Sequence, residues 1–319
     1  MAVLVGIDEA GFGPILGPLI VSSCSFSVCP EMLESNLWQV LKASVGSKAK
    51  ALAGRLLVTD SKKAYSKSRG IKHLQRTVLA FLKTVDKKPA TLAQLLQTLC
   101  PDCLQRLNDY PWYKDLTGYD IVTNDADISI ASNVLTDDMA VNGIKFLGFR
   151  TCCLDVAHYN TLMAKVKNKA NVLFSSTSQL IKSAFDDACP EDLHIIVDRQ
   201  GGRVHYRRQL QCMFGDMQLK ILCENATVSS YELHADGRKM RLDFAVDADL
   251  NFLPVSLASM ACKYLRELLV DCINRYFAQL CTNLKPTAGY WQDGQRFIRD
   301  LKTNMAHVRY DSNKLIRCR

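Results

Sequence analysis

The stretch that decides the fold is VLVGIDEAGFGPILGPLIVSSC, residues 3–24. Residues 3–7 form a continuous apolar run of strand length, which is typical of a strand buried on both faces of a sheet. Two adjacent acids, Asp8 and Glu9, end the run, and a Gly- and Pro-rich turn leads to a second apolar run at 19–21. Two carboxylates at the tip of a buried strand are costly unless they are paired, solvated or bound to a cation. The stretch therefore predicts either a hairpin with solvated acids at its mouth or a site at the edge of an α/β sheet.

The glycines of this stretch do not form a nucleotide-binding loop. The spacing of Gly11, Gly13 and Gly17 is neither G-x-G-x-x-G nor that of a Walker A loop, and no Lys-Ser or Lys-Thr pair follows. The two bare carboxylates would also repel a phosphate. A phosphate could therefore approach only with divalent cations between it and the acids.

The length and net charge are those of an ordinary globular protein that is mildly basic. The chain has 319 residues and a net charge of +8, which mildly favours a polyanionic partner. Its 13 cysteines are odd in number and irregularly spaced, so we expect reduced thiols rather than a disulfide framework. Cys100 and Cys103 form a lone C-x-x-C, which we interpret as a helix terminus with two buried thiols. With neither a signal peptide nor a membrane span in the pattern, we expect a cytoplasmic protein.

Hydrophobic periodicity along the chain predicts alternating helices and strands. The predicted helices cover 31–45, 71–82, 92–99, 156–188 with a break near 175–176, and 254–280. The predicted strands cover 144–154, 194–197 and 219–222, and Asp236-Gly237 signals a hairpin within 224–246. We expect one domain over 1–319, with insertions at about 86–140 and 205–240 and a C-terminal helical segment at about 283–319. The first insertion would be a subdomain or lid, and 224–246 would be part of the second or an extension of the sheet edge.

Further acids stand at the ends of other elements. Asp198 ends the apolar run 194–197, and Asp249 follows Asp247 just before the helix that begins at Pro254. Carboxylates that converge near basic residues are what a two-metal phosphodiesterase needs, because two divalent ions can activate a water and stabilise the leaving oxygen. Acids at strand ends are common, however, and spacing alone favours separate solvated carboxylates.

The sequences of five motifs resemble those of the type 2 ribonucleases H, the ribonuclease HII family. The motifs occur in the family's order and span residues 6 to about 300. They are D-E-A-G-x-G-P at 8–14 with Gly17-Pro18, D-S-K-K at 60–63, the strand ending in Val197-Asp198, Asp249 with P-V-S-L-A-S-M-A-C-K at 254–263, and Gly289-Tyr290 with the helical run after it.

This resemblance implies a ribonuclease H-like fold, with a central mixed β-sheet flanked by helices. It also implies endonucleolytic, metal-dependent hydrolysis of RNA in RNA–DNA hybrids, or at a ribonucleotide embedded in duplex DNA, which leaves a 3′-hydroxyl and a 5′-phosphate. The cofactor would be Mg²⁺ or Mn²⁺, and the protein would act as a monomer. The metal-binding and catalytic residues would be Asp8, Glu9, Asp198 and Asp249.

The resemblance also implies a set of substrate contacts. Lysines would contact phosphates, backbone groups of the glycine turn would meet the ribose 2′-hydroxyl that distinguishes RNA from DNA, and a tyrosine would stack on the sugar at the junction. These residues would be Lys62, Lys63 and Lys263 for phosphate, Gly11, Phe12 and Gly13 for the ribose, and Tyr290 for the sugar. The alternative for Tyr290 is a tyrosine that packs in the core.

Three departures from the family pattern leave alternatives open. Phe12 stands where the family carries Arg or Lys. The loss of this charge predicts weaker selectivity for a single embedded ribonucleotide than for a continuous hybrid. Alternatively, another basic residue, such as Arg199 or Arg203, supplies the contact. The distance from Asp249 to Pro254 is about one residue longer than usual, so Asp247 is a rival for the fourth acid. The chain is also longer than a typical member. A nucleic-acid-binding protein that has lost or redirected catalysis is the second hypothesis.

Overall fold

A seven-stranded mixed sheet forms the centre of the computed structural model, which describes residues 1–65, 70–188, 191–235, 237–281, 283–304 and 310–318. The strands are β1 (Ala2–Ala10), β2 (Leu19–Val28), β3 (Val45–Gly46), β4 (Leu56–Leu57), β5 (Lys145–Leu154), β6 (Asp192–Asp198), β7 (Gln218–Glu224), β8 (Val228–Ala235) and β9 (Arg238–Ala245). The order in the sheet is β5-β2-β1-β6-β9-β8-β7, while β3 and β4 form a separate pair. The three central strands β1, β6 and β9 are parallel, and the outer ones are antiparallel.

Helices cover both faces of this sheet, so the predicted fold class is confirmed. They are α1 (Leu37–Val40), α2 (Ser61–Ala64), α3 (Lys72–Lys83), α4 (Leu92–Leu99), α5 (Leu104–Leu107), α6 (Asp125–Val141), α7 (Val156–Val166), α8 (Lys169–Asp187), α9 (Arg207–Met213), α10 (Ala248–Asn251), α11 (Leu253–Leu280), α12 (Trp291–Asn304) and α13 (Ser312–Leu315). Short 3-10 turns lie at Pro30–Met32, Ala49–Ala51, Pro101–Cys103 and Pro111–Tyr113.

Strand β1 is buried on both faces, as its continuous apolar run predicts. Leu4 belongs to the core shared with α11, whereas Val5 and Ile7 belong to the core shared with α8. Gly6 is required here, because a Cβ at this position would lie 2.2 Å from the carbonyl carbon of Pro254. The first turn of α11 therefore lies directly on β1, which brings the 254–263 motif to the strand that carries the first two acids.

The long helical stretch predicted over 156–188 is broken, but not at the predicted place. Lys167 has a left-handed φ of 52°, and the Asn168 side chain accepts a hydrogen bond from the Asn171 backbone N–H at 3.1 Å. α7 therefore ends before Lys167 and α8 begins at Lys169, while Ser175 and Ser176 lie inside α8. Asparagine is a strong helix N-cap, and this signal outweighs the pair of serines.

The segments predicted as insertions share the core of the sheet. Strands β7 and β8 extend the sheet beyond β9, so this part of 205–240 is an extended sheet edge. Asp236, half of the predicted hairpin turn, lies outside the described residues, but β8 and β9 pair as the hairpin requires. In the region 86–140, Leu95, Trp112 and Leu135 are buried in the same core cluster as α11. The chain over these segments therefore packs as part of the main body.

The C-x-x-C pair lies at the end of a helix. Cys100 is the C-cap of α4, and it and Cys103 are buried free thiols whose sulfur atoms are 3.4 Å apart, as the C-x-x-C interpretation expected. Among the described residues, no helix combines the length and apolar character needed to cross a membrane.

Candidate active site

Pairing between parallel strands brings two of the predicted acids to one edge of the sheet. Ile7 of β1 is aligned with Val197 of β6, so Asp8 and Asp198 follow next to each other at the carboxyl ends of the two strands. Asp198 Oδ1 accepts a hydrogen bond from the Ala248 N–H at 2.9 Å. That bond holds the segment after β9 against the end of β6. This segment contains Asp249. The predicted acids therefore come from three neighbouring strands that end at the same edge.

Mutual electrostatic effects show that the four carboxylates are neighbours. Burial raises the pKa of Asp8 well above its usual value, and the charges of Glu9 and Asp198 raise it further. Burial, followed by the charge of Asp198, raises the pKa of Glu9 to about 8. The same two causes raise the pKa of Asp249 to about 6, and burial also raises that of Asp198. Like charges disfavour each other's ionised forms at short range, so these groups form one acidic cluster.

The structure separates the two rivals for the fourth acid by their surroundings. Asp249 is half-buried, and its charge contributes to the raised pKa of Glu9. Asp247 is exposed and adopts a left-handed φ of 52° before α10, although its charge acts on Asp198 and Asp249. Asp249 is therefore the more buried of the two acids, while the charges of both act on the acidic cluster.

The acidic cluster fits a hard divalent cation by its chemistry. Within the residues that the structure describes, no group of three or more His, Cys, Asp or Glu side chains already surrounds a common point. The four acids nevertheless offer carboxylate oxygens alone, which are the ligands that Mg²⁺ and Mn²⁺ take. A bound cation would also favour the ionised forms that burial and repulsion disfavour here.

Two other motifs meet the acidic cluster through hydroxyl groups and a helix cap. A hydrogen bond with Ser259 of α11 partly offsets the effect of burial on the pKa of Asp8, and the Ser259 and Ser61 hydroxyl oxygens are 3.0 Å apart. Asp60 caps α2, because its Oδ1 accepts a hydrogen bond from the Lys62 N–H at 2.9 Å. The D-S-K-K segment and the start of α11 are therefore fixed against the end of β1.

The two lysines of the D-S-K-K segment are exposed, as phosphate contacts must be. The charge of Lys62 lowers the pKa of Glu9, Asp198 and Asp249 against the larger effect of burial. Lys62 therefore lies beside the acidic cluster, and Lys63 lies next to it on α2. The structure gives both residues positions consistent with the sequence prediction.

Lys263 occupies a different environment from the one that the sequence suggests. Its side chain is buried, and its Nζ is 2.7 Å from a Glu267 carboxylate oxygen and 4.8 Å from the centre of the Tyr65 ring. The predicted phosphate contact would require this ion pair to open. In the present structure, Lys263 joins α11 to the end of the D-S-K-K helix instead.

The glycine turn presents its backbone at the surface beside the acids. Gly11 has a φ of 93°, and a Cβ there would lie 2.6 Å from the Pro18 carbonyl oxygen, so only glycine fits. Gly13 is exposed with open space around it, and Phe12 between them is half-buried against the core on the α8 side of the sheet. Backbone groups at this turn are therefore accessible, as the predicted ribose contact requires.

Arg266 of α11 is a buried residue beside the glycine turn. Arg266 lies between three and four turns into α11, on the side that the sequence suggests could face a polyanion, but the residue is only 1% exposed. One Nη2 hydrogen bond reaches the Ala288 carbonyl at 2.9 Å, a second reaches Leu16 at 3.4 Å, and the guanidinium is 5.6 Å from the centre of the Tyr290 ring. Arg266 therefore joins the glycine turn to the Gly289-Tyr290 segment. Its occurrence among small and apolar helix residues was the signal of a buried role.

Tyr290 is exposed in this arrangement, with 48% of its surface accessible. The core-packing alternative for this residue is therefore wrong. The Gly289 carbonyl accepts a hydrogen bond from the Ile15 N–H at 2.8 Å, which holds the segment against the glycine turn. An exposed aromatic ring beside that turn has the position that a sugar-stacking residue needs.

Replacement of Glu9 by Gln is expected to stabilise the metal-free protein at alkaline pH. The folded pKa of Glu9 is raised from 4.5 to about 8, so its contribution to stability is present below pH 4.5 and is lost as the pH rises through 8. Glu9→Gln should therefore unfold at the same denaturant concentration as wild type near pH 4.5, but should be more stable at pH 9 by roughly 1–3 kcal/mol. Denaturant unfolding in EDTA at the two pH values measures this. An equal free-energy difference at both would contradict the burial of Glu9 in an acidic cluster.

A mixed sheet with an acidic cluster at the carboxyl ends of its parallel strands, bordered by exposed lysines and a glycine turn, defines an α/β protein with a candidate active site. The solved structures that resemble this chain are ribonucleases of the HII and HIII types. The RNase HII of a PCNA:RNase HII complex from Archaeoglobus fulgidus matches with 14% identity and a TM-score of 0.44 over 99% of this chain and 94% of that chain.

Two further solved structures match almost all of this chain. Bst-RNase HIII in complex with Mn²⁺ matches with 13% identity and a TM-score of 0.46, over 99% of this chain and 66% of that chain. The ribonuclease H2 from Pyrococcus horikoshii OT3 matches with 12% identity and a TM-score of 0.44, over 98% of this chain and 92% of that chain. No family model and no curated protein matches the sequence. At such low identity the likeness concerns the fold alone, so we assign function from the residues of the site.

Proposed function

We propose that this protein is a metal-dependent endoribonuclease that hydrolyses RNA in RNA–DNA hybrids or at ribonucleotides embedded in duplex DNA. The observation that supports the proposal most is the acidic cluster of Asp8, Glu9, Asp198 and Asp249, in which the charge of at least one other member raises the pKa of Asp8, Glu9 and Asp249. Four neighbouring carboxylates have a large electrostatic cost that a purely structural role does not explain. The position of the cluster beside exposed lysines fits phosphodiester hydrolysis.

In the proposed mechanism, Asp8, Glu9, Asp198 and Asp249 would hold Mg²⁺ or Mn²⁺. When bound, two such ions would activate the attacking water and stabilise the leaving 3′-oxygen, giving a 3′-hydroxyl and a 5′-phosphate. Ser259 keeps the Asp8 carboxylate oriented through its hydrogen bond. The cluster would thus bind metal only in its ionised form, so metal affinity should increase as the pH rises.

The substrate contacts follow from the surfaces next to the acidic cluster. Lys62 and Lys63 would contact phosphates from the α2 side, and the backbone at Gly11, Phe12 and Gly13 would meet the ribose 2′-hydroxyl. The exposed ring of Tyr290 would stack on the sugar. Arg266 would keep the glycine turn and Tyr290 at a fixed separation, because it bonds to the backbone of both segments.

A cleavage assay tests this proposal against a binding protein without catalysis. The substrates are an RNA–DNA hybrid, a DNA duplex with one ribonucleotide and an all-DNA duplex of the same sequence, each incubated with Mg²⁺, Mn²⁺ or EDTA. We expect metal-dependent cleavage of the first two substrates, only on the RNA-containing strand, with 3′-hydroxyl products. Tight hybrid binding without cleavage in either metal would support the binding protein instead, and equal cleavage of the all-DNA duplex would contradict ribose recognition.

A further inference from the structure

A lysine lies over the aromatic ring at the tip of the glycine turn. Lys169 Nζ is 4.3 Å from the centre of the Phe12 ring, within the range of a cation–π interaction. Lys169 is the first residue of α8, and the Asn168 cap fixes the start of that helix. The ring of Phe12 therefore supports a positive charge that comes from a distant part of the chain.

A second cation is anchored to the same helix end. Arg203 Nη2 donates a hydrogen bond to Asn171 Oδ1 at 2.7 Å, and the guanidinium is 5.0 Å from the centre of the Phe174 ring. Its Nη1 is buried and has no hydrogen-bond partner within the described part of the chain. Asn171 and Phe174 are in the first two turns of α8, so Lys169 and Arg203 lie at one end of one helix. We refer to these two residues as the basic flank.

The basic flank involves both segments that leave the acidic cluster, because Lys169 contacts Phe12 and Arg203 belongs to the segment after Asp198. Phe12 is four residues after Asp8, and Arg203 is five residues after Asp198. Phe12 packs on the α8 side of the sheet, whereas Ala64, next to the lysines of α2, packs in the core on the α11 side. Lys62 and the basic flank therefore approach the same sheet edge from opposite faces.

A nucleic-acid strand needs cations at this place. The acidic cluster repels phosphates, and Phe12 itself brings no charge to the glycine turn. Lys169 supplies a positive charge beside the glycine turn, Arg203 supplies a second at the same end of α8, and Lys62 supplies one from the other face. Contacts from both faces would hold a phosphodiester backbone across the sheet edge, because lysine and arginine contacts to phosphate fix the register of a bound duplex.

We propose that the basic flank, Lys169 and Arg203, is a phosphate-binding site for the substrate strand and that Lys169, seated on Phe12, supplies the positive charge of the glycine turn. This inference rests on the proposed function, since it assumes a nucleic-acid substrate. In this inference Phe12 supports Lys169. The sequence suggested Arg199 or Arg203 as the basic residue that replaces the missing charge at position 12, and the structure adds Lys169 to these two candidates.

Salt-dependent binding of an RNA–DNA hybrid in EDTA tests the inference, with fluorescence anisotropy as the readout. Each lost phosphate contact lowers the slope of log K against log salt by roughly 0.9, so Lys169→Gln and Arg203→Gln should each reduce the slope by about that amount. Lys169→Arg should keep the wild-type slope. Lys220→Gln, an exposed lysine on the outer strand β7, is the matched control and should also keep it.

A rescue variant makes the test specific to the glycine turn. Phe12→Arg in the Lys169→Gln background should restore the slope, because it returns a cation to the same place. Wild-type slopes for both Lys169→Gln and Arg203→Gln would overturn the inference while leaving the proposed function intact. Failure of Phe12→Arg to restore binding would overturn the role given to Lys169. If the wild-type protein does not bind the hybrid at all, the proposed function fails, and this inference fails with it.

Discussion

Asp8→Asn is expected to reduce cleavage of an RNA–DNA hybrid by about a thousandfold or more, while hybrid affinity stays within a few-fold of wild type. Metal ions stabilise the charge of the transition state by several kcal/mol, and each 1.36 kcal/mol changes the rate tenfold. Asp8 is the most deeply buried acid of the cluster, so loss of its charge should weaken metal binding most. Affinity for the duplex comes mainly from basic residues that the substitution does not touch.

Single-turnover cleavage at saturating metal, with anisotropy in EDTA on the same protein, measures both parts of this prediction. Asp192→Asn is the matched control, since Asp192 is an exposed acid at the opposite end of β6 from Asp198. The control should cleave at the wild-type rate. Full activity in Asp8→Asn would rule out Asp8 as a metal ligand, and an equal loss of binding would indicate that the substitution disturbs the fold.

Asp249→Asn is expected to lower the cleavage rate about a hundredfold, whereas Asp247→Asn should change it only a few-fold. Asp249 is half-buried and acts on the pKa of Glu9, so its charge is inside the acidic cluster. Asp247 also acts on Asp198 and Asp249, but it is exposed, so solvent should screen more of its charge than that of Asp249. A hundredfold loss corresponds to about 2.7 kcal/mol of transition-state stabilisation.

The two variants serve as each other's control, because they are two residues apart and remove the same charge. Cleavage rates should be compared over a range of Mn²⁺ concentrations, where Asp249→Asn should also need more metal for half-maximal activity. A larger loss in Asp247→Asn than in Asp249→Asn would assign the fourth ligand to Asp247. Equal, small losses would mean that neither residue holds a metal ion.

Local signals in the sequence were sufficient for the strands of the central sheet and for the first acids. The helix predicted over 31–45 is wrong in extent, because the structure has there only a 3-10 turn, the short α1 and the start of β3. The apolar run that ends in Asp8 and the one that ends in Asp198 each predict a buried strand with an acid at its tip, and parallel pairing then places the two tips together. The small residues at the start of α11 likewise predict a helix that approaches the sheet closely. These features are encoded over a few neighbouring residues, so they can be recognised without the tertiary structure.

Features that depend on long-range packing could not be predicted in this way. Lys169 meets Phe12, and Arg266 meets Leu16 and Ala288, across large separations in sequence, and nothing in the local pattern of either residue identifies the partner. Lys263 matches its motif, yet an ion pair with Glu267 one turn later turns its charge inward. Residue identity therefore located the candidate site, while packing decides which of its charges reach the surface.

Binding of Mn²⁺ to the protein without nucleic acid tests most directly whether the four carboxylates form a metal site. Isothermal titration calorimetry at pH 8 should show Mn²⁺ binding to wild type and to Asp192→Asn, and binding at least tenfold weaker to Asp8→Asn and to Asp198→Asn. Affinity for wild type should fall at pH 5, because protons compete for carboxylates whose pKa values are raised, that of Glu9 to about 8 and that of Asp249 to about 6. Equal Mn²⁺ affinity in wild type, Asp8→Asn and Asp198→Asn would contradict the account.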